Sequence, residues 1–200
     1  MWDIPDKVHY NTIDTIEGAY EWSCSKNDLE DILQAELSGQ ILRKVYVNLN
    51  GYLEGCSRDA NYYDFSYMGG EVLMLFDRCA LELLIHVQGM IQYRIVDLQH
   101  IRLHPHYGTP PEDMVLSEIY FHDLSQAFAL SYENQVVCDI KVDGTNYCGF
   151  IPDRFDEEKA ILAMYQNLLP NNVHFKLGNN VTVSLMADAI ENFIILLDET

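Results

Sequence analysis

The chain has 200 residues, 48% of them hydrophobic, which is enough to bury a sizeable core in a single domain spanning residues 1 to 200. Twelve basic residues against 31 acidic ones give a formal charge of −19. That balance repels phosphates and anionic membrane surfaces, so it excludes direct binding to nucleic acid and argues for a basic partner. The opening MWDIPDKVHY carries acids and a proline where a secretion signal needs a basic end and an apolar run, and no later stretch has the length of a membrane span. The expectation is a soluble, cytoplasmic protein.

In chain order, the first clear element is NDLEDILQAELSG, residues 27 to 39. Asn27 and Glu30 have the spacing of a capping box, Leu29, Ile32, Leu33 and Leu37 form an apolar stripe, and Gly39 supplies the stop. This predicts a helix packed on one face.

A series of short segments follows, rich in β-branched and aromatic residues and separated by turn residues. They are LRKVYVNLN (42 to 50), EVLMLFD (71 to 77), ALELLIHV (80 to 87), MIQYRIV (90 to 96) and AFALSY (127 to 132). Beyond them come QVVCDIKV (135 to 142), VHFKLG (173 to 178), VTVSLM (181 to 186) and ENFIILL (191 to 197). Gln88-Gly89, Asp143-Gly144 and Asn179-Asn180 suit tight hairpins and predict antiparallel neighbours. In TPPEDMVLSEIYFHD, residues 109 to 123, a helical turn followed by a strand is expected.

A second helix is predicted over DEEKAILAMYQNLLP, residues 156 to 170, where acids crowd the first turn and Pro170 ends the pattern. The fold class is therefore α+β, a predominantly antiparallel sheet with two amphipathic helices packed on it.

Residues 59 to 70, DANYYDFSYMGG, carry the stronger functional signal. Asp59, Tyr62, Tyr63, Asp64, Phe65 and Tyr67 combine rings that offer large contact area with acids that suit lysine or arginine. Read as a strand, the same segment turns Tyr63, Phe65 and Tyr67 to one face and Tyr62, Asp64 and Ser66 to the other.

HIRLHPHYG, residues 100 to 108, is the second candidate. On a strand spanning residues 97 to 107, His100, Arg102, His104 and His106 alternate with Ile101, Leu103, Pro105 and Tyr107, which reads as a solvated stripe opposite an apolar face. His100, His104 and His106 are also the candidate zinc ligands, with His122 or Glu112 as a further donor. Arg102 and Pro105 count against that use.

Other chemistry is weaker. Cys148 and Arg154 have the spacing of a phosphatase loop, but Pro152 removes a backbone donor and Asp153, Asp156, Glu157 and Glu158 surround the place where a phosphate would sit. Cys56 lies near Arg58 with no catalytic partner in sequence, and the five cysteines read as reduced, mostly buried thiols. His86 reads as a core histidine.

The expected function is a non-enzymatic acidic protein-binding module, inhibitor-like, that binds and neutralises a basic protein such as a toxin or nuclease. Bacterial immunity proteins share this profile of small size, acidity and soluble folding, an analogy of composition that covers no motif. It implies no cofactor. The alternative is a metal-binding protein or metal-dependent enzyme using the histidine strand with zinc, and a third reading is a homo-oligomeric subunit.

Overall fold

The computed structural model describes residues 9–13, 21–23, 25–48, 58–59, 62–66, 70–86, 90–100, 103–107, 120–124, 128–145, 166, 168–187 and 192–200, and the structural statements that follow concern these. One α-helix and 14 strands are found among them. In order they are β1 (His9–Ile13), β2 (Glu21–Ser23), α1 (Lys26–Leu37), β3 (Ile41–Asn48), β4 (Arg58–Asp59), β5 (Tyr62–Ser66), β6 (Gly70–Phe76) and β7 (Cys79–His86). Then come β8 (Met90–Asp97), β9 (Leu103–Tyr107), β10 (Tyr120–Asp123), β11 (Gln135–Thr145), β12 (Leu169–Leu177), β13 (Val181–Ala187) and β14 (Asn192–Glu199).

Every pairing is antiparallel, and the main path across the sheet is β2-β8-β7-β6-β3-β11-β12-β13-β14-β5-β4. The path doubles back at β3 and β11. Phe76 of β6 meets Phe175 of β12 at a ring-centroid distance of 6.4 Å, and residues from both halves belong to one buried cluster. The cluster includes Val45, Val72, Met74, Leu81 and Ile91 from one half, with Ile140, Val173, Val183, Leu185 and Ile195 from the other.

The strand β3 is where the sheet forks. One of its edges pairs with β6, and the other is shared, with β11 taking Ile41 and Leu42 and β10 taking Tyr46 to Asn48. A short arm, β10-β1-β9, extends from that fork.

Helix α1 closes the edge that β11 leaves bare beyond the fork. Gln34 and Glu30, one helical turn apart, accept the backbone N–H groups of Ile140 and Val142, each at 2.8 Å. An open edge would otherwise expose these donors to water or to another chain. The adjoining face of α1 buries Leu29, Leu33 and Leu37 completely, each contributing about 1.5–3 kcal/mol. Gln40, also buried, joins the helix end to the β6–β7 turn: its Nε2 donates to the Glu36 carbonyl at 2.5 Å, and its Oε1 accepts from the Arg78 N–H at 3.2 Å.

On the other face of β6, β7 and β8, fully buried Glu82 pairs with Arg94, whose Nε donates to Glu82 Oε2 at 2.8 Å. Leu73, Ala80, Val96 and Tyr46 form a smaller buried cluster on that side. Tyr93 ties β8 to β2 by donating to Glu21 Oε2 at 2.9 Å, and burial with that carboxylate pushes its phenol up to about 12.

Several expectations are corrected. The described residues hold one helix, and residues 156 to 165 of the second predicted one lie outside them; Leu169 and Pro170, expected to end it, open β12 instead. The cap of α1 is Ser25, whose Oγ accepts the Asp28 N–H at 3.3 Å, because the helix starts before Asn27; Glu30 serves the β11 edge instead of a capping box. Ile32 is exposed.

Asp143-Gly144 makes no hairpin but a register shift inside β11. The β12–β13 turn occupies Gly178, Asn179 and Asn180, with Asn180 at φ +62°. Such a three-residue loop with its last residue left-handed fits a hairpin as well as a two-residue one does. Residues 128 to 132 are not a strand: Phe128 and Tyr132 close edge to face at 6.4 Å, which folds the segment onto itself and buries Tyr132. The Gln88-Gly89 turn lies outside the described residues.

Candidate functional surface

Strands alternate their faces, so the core side of β11 to β14 fixes what lies outside. Val173, Phe175, Val183, Leu185, Ile195 and Leu197 are buried in the core, which leaves His174, Ser184 and Leu196 on the outer face. Directly paired residues share a face. The register therefore lines up one row across six strands: Lys141, His174, Ser184, Leu196, Tyr62 and Asp59. A second row runs beside it through Asp143, Asn172, Met186, Ile194 and Asp64. At about 4.8 Å per strand, the first row is about 24 Å long.

The tyrosine segment singled out by the sequence thus ends up beside residues far from it in the chain. The register divides it: Tyr62, Asp64 and Asp59 take outer-face positions, while Tyr63 and Phe65 pair with Ile195 and Phe193 on the core side. Tyr67 lies outside the described residues. The alternation expected for a strand is what the register has for residues 62 to 66.

At the centre of the first row, His174 is held by both ring nitrogens. Nδ1 lies 2.8 Å from Ser184 Oγ, and Nε2 lies 3.0 Å from Asp143 Oδ2. With a neutral ring, Nε2–H donates to the carboxylate and Nδ1 accepts the serine O–H. Sequence reasoning missed this group. The signal lay in the loop length: with three residues in the β12–β13 turn His174 faces Ser184, whereas a two-residue turn slips the pairing by one and sets polar against core positions.

Serine, histidine and aspartate are the side chains of a hydrolase triad, but this arrangement does not suit nucleophilic attack. Ser184 is 4% exposed and sits mid-strand between two paired neighbours, so the ladder takes up the backbone N–H groups around it, leaving none to stabilise an oxyanion. What the arrangement does is fix the histidine ring in one orientation on the face. Ser184→Ala should leave Nδ1 without its hydroxyl partner and cost about 1–2 kcal/mol, measured by urea unfolding. An unchanged unfolding midpoint would show that the hydrogen bond does not order this face.

The charges on the face are polarised. Lys141 and Lys176 stand at the β11–β12 end, with Asp139 and Asp143 between and beside them, while Asp59 and Asp64 occupy the tyrosine end without a described lysine in their rows nearer than Lys141. Met186, Ile194 and Leu196 make a partly buried apolar centre.

Of the remaining candidates, His104 and His106 lie on β9, and His100 falls in a separate 3-10 turn, Leu98–His100, so residues 97 to 107 are not one strand. His86 ends β7. Arg58 lies on β4, while Cys56, Cys148 and Arg154 are outside the described residues. Cys79 and Cys138 are free thiols: desolvation pushes the half-buried Cys79 thiol up, whereas Cys138 is exposed at an irregularity in β11, contrary to the expectation of buried thiols. No described group of histidine, cysteine and carboxylate side chains is arranged to hold a metal ion, and no described helix is long and apolar enough to cross a membrane. Comparison with protein-family models, with curated proteins and with solved structures returns no match.

Proposed function

We propose that the chain is a non-enzymatic acidic module that binds and neutralises a basic protein, using the outer face that runs from β11 to β4. The observation that carries the reading is the cross-strand register of Tyr62 and Asp64 with Leu196 and Ile194, which joins a tyrosine-bearing acidic edge to an apolar centre. An apolar centre with aromatic and charged surroundings is the usual anatomy of a protein contact. The −19 charge would speed encounter with a cationic partner, and the aromatic and aliphatic groups would slow release. Occluding the partner's positive surface is then enough to neutralise it, which is how the compositional likeness to immunity proteins and a nuclease-like partner enters.

The test is the affinity for the basic polypeptide recovered with the chain at low salt, measured as ionic strength rises from about 0.05 to about 0.5 M, over which screening shortens from more than 10 Å to a few ångströms. A loss of tenfold or more is expected. Constant affinity across the series would remove the charge-steering claim.

A further inference from the structure

We infer that His174 is a proton switch on the outer face, loosening the hold of that face on a cationic partner as pH falls below neutrality. The inference rests on the protein-binding reading of the face and adds its regulation.

The ring is placed to take up a proton without moving. In the neutral form Nε2–H donates to Asp143 Oδ2 at 3.0 Å and Nδ1 accepts the Ser184 hydroxyl at 2.8 Å. Protonation puts a second N–H on Nδ1, which donates to the same serine oxygen while the hydroxyl proton turns away. Both contacts are therefore usable in either state, and the proton changes the charge of the face but not its shape. The His174 side chain is 25% exposed, so solvent reaches the ring. Imidazole is also the side chain that ordinarily changes charge between about pH 5 and about pH 8.

Its surroundings make one charge count. Among the described residues, β11 presents Asp143 against the ring, Lys141 directly opposite it in register, and Asp139 in the next row. The ring's own strand adds Lys176, and β13 meets it with Ser184, Thr182 and Met186, none of them charged. Asp198 of β14 continues the row of Asp139, Lys176 and Thr182. Three carboxylates against two ammonium groups leave this part of the face with one net negative charge around a neutral ring, and a proton on His174 cancels it. The same proton turns the Asp143 contact into an ion pair, which withdraws that carboxylate from an incoming lysine or arginine. His174 stands in one row with Leu196, beside the apolar centre where a partner would sit, so the added charge falls within a few ångströms of the contact.

The test is a nuclear magnetic resonance titration of the labelled full chain with a decalysine peptide at low, constant ionic strength, at about pH 7.5 and about pH 5.5. Shifts of the Ser184, Met186 and Leu196 amides report binding at this face alone. The parent should bind about tenfold more weakly at the lower pH, and His174→Gln should lose all but about twofold of that difference, each chain being compared with itself. Thermal melts establish that the variant folds. Should it fail to fold, the His174 ring signals of the parent decide: by linkage, saturating decalysine must move their titration midpoint to lower pH. Decalysine that leaves the three amides unshifted at about pH 7.5 removes the outer-face reading and the switch with it. Binding at this face with equal affinity at both pH values, a pH dependence that survives in His174→Gln, or an unmoved ring midpoint overturns the switch alone.

Discussion

Phe175→Ala is expected to remove about 3–5 kcal/mol of stability, the cost of truncating a fully buried phenylalanine. The residue projects from β12 into the space between the two halves of the sheet and meets Phe76 of β6. Its loss therefore leaves a cavity at the point where the halves close on each other. Phe76→Ala should cost a similar amount, and the double variant should cost less than the sum by about 0.5–1.5 kcal/mol, the coupling of an aromatic pair. Urea unfolding of the four chains checks both statements. Strict additivity would mean that the two rings do not touch and that the sheet does not double back at β3 and β11.

The second large effect concerns binding. Tyr62→Ala is expected to weaken the basic partner by at least about 2 kcal/mol, roughly thirtyfold, because Tyr62 stands in the row that joins the acidic edge to Leu196. Asp64→Lys reverses a charge in the adjacent row and should mainly slow association. Tyr63→Ala supplies the contrast, since position 63 pairs with the fully buried Ile195 on the core side. That change should lower unfolding stability while leaving affinity nearly intact. Surface plasmon resonance and urea unfolding on the three variants separate these outcomes. Affinity lost in Tyr63→Ala but kept in Tyr62→Ala would move the contact away from the outer face.

Much of the sheet could be read in the sequence because local signals agreed with one another. In β13, Val181, Val183 and Leu185 alternate with Thr182, Ser184 and Met186, and the core takes the first set. The segments of β3, β6, β7, β8, β11 and β14 were legible for the same reason. Short strands escaped: β2 and β4 carry three and two residues, too few for alternation to register. Residues 127 to 132 misled in the opposite direction, since apolar content marks burial and Tyr132 reaches the core without a strand.

Topology was the least legible part. The fork at β3 depends on which strand takes which portion of one edge, and nothing local encodes that choice. The same holds for the candidate surface. Tyr62 and Asp64 were visible as chemistry, yet their neighbours Leu196 and Ile194 arrive from more than a hundred residues downstream. His106 and His122 stood apart in the sequence, and only the insertion of β1 between β9 and β10 puts both positions opposite Tyr10.

The most direct test of the central claim is native mass spectrometry of the untagged protein isolated at low salt from its own cells. The account predicts a complex with a basic polypeptide that separates as salt is raised and does not form with the Tyr62→Ala, Asp64→Lys double variant. A chain that carries no polypeptide at low salt, or a complex indifferent to both salt and the double substitution, would contradict it.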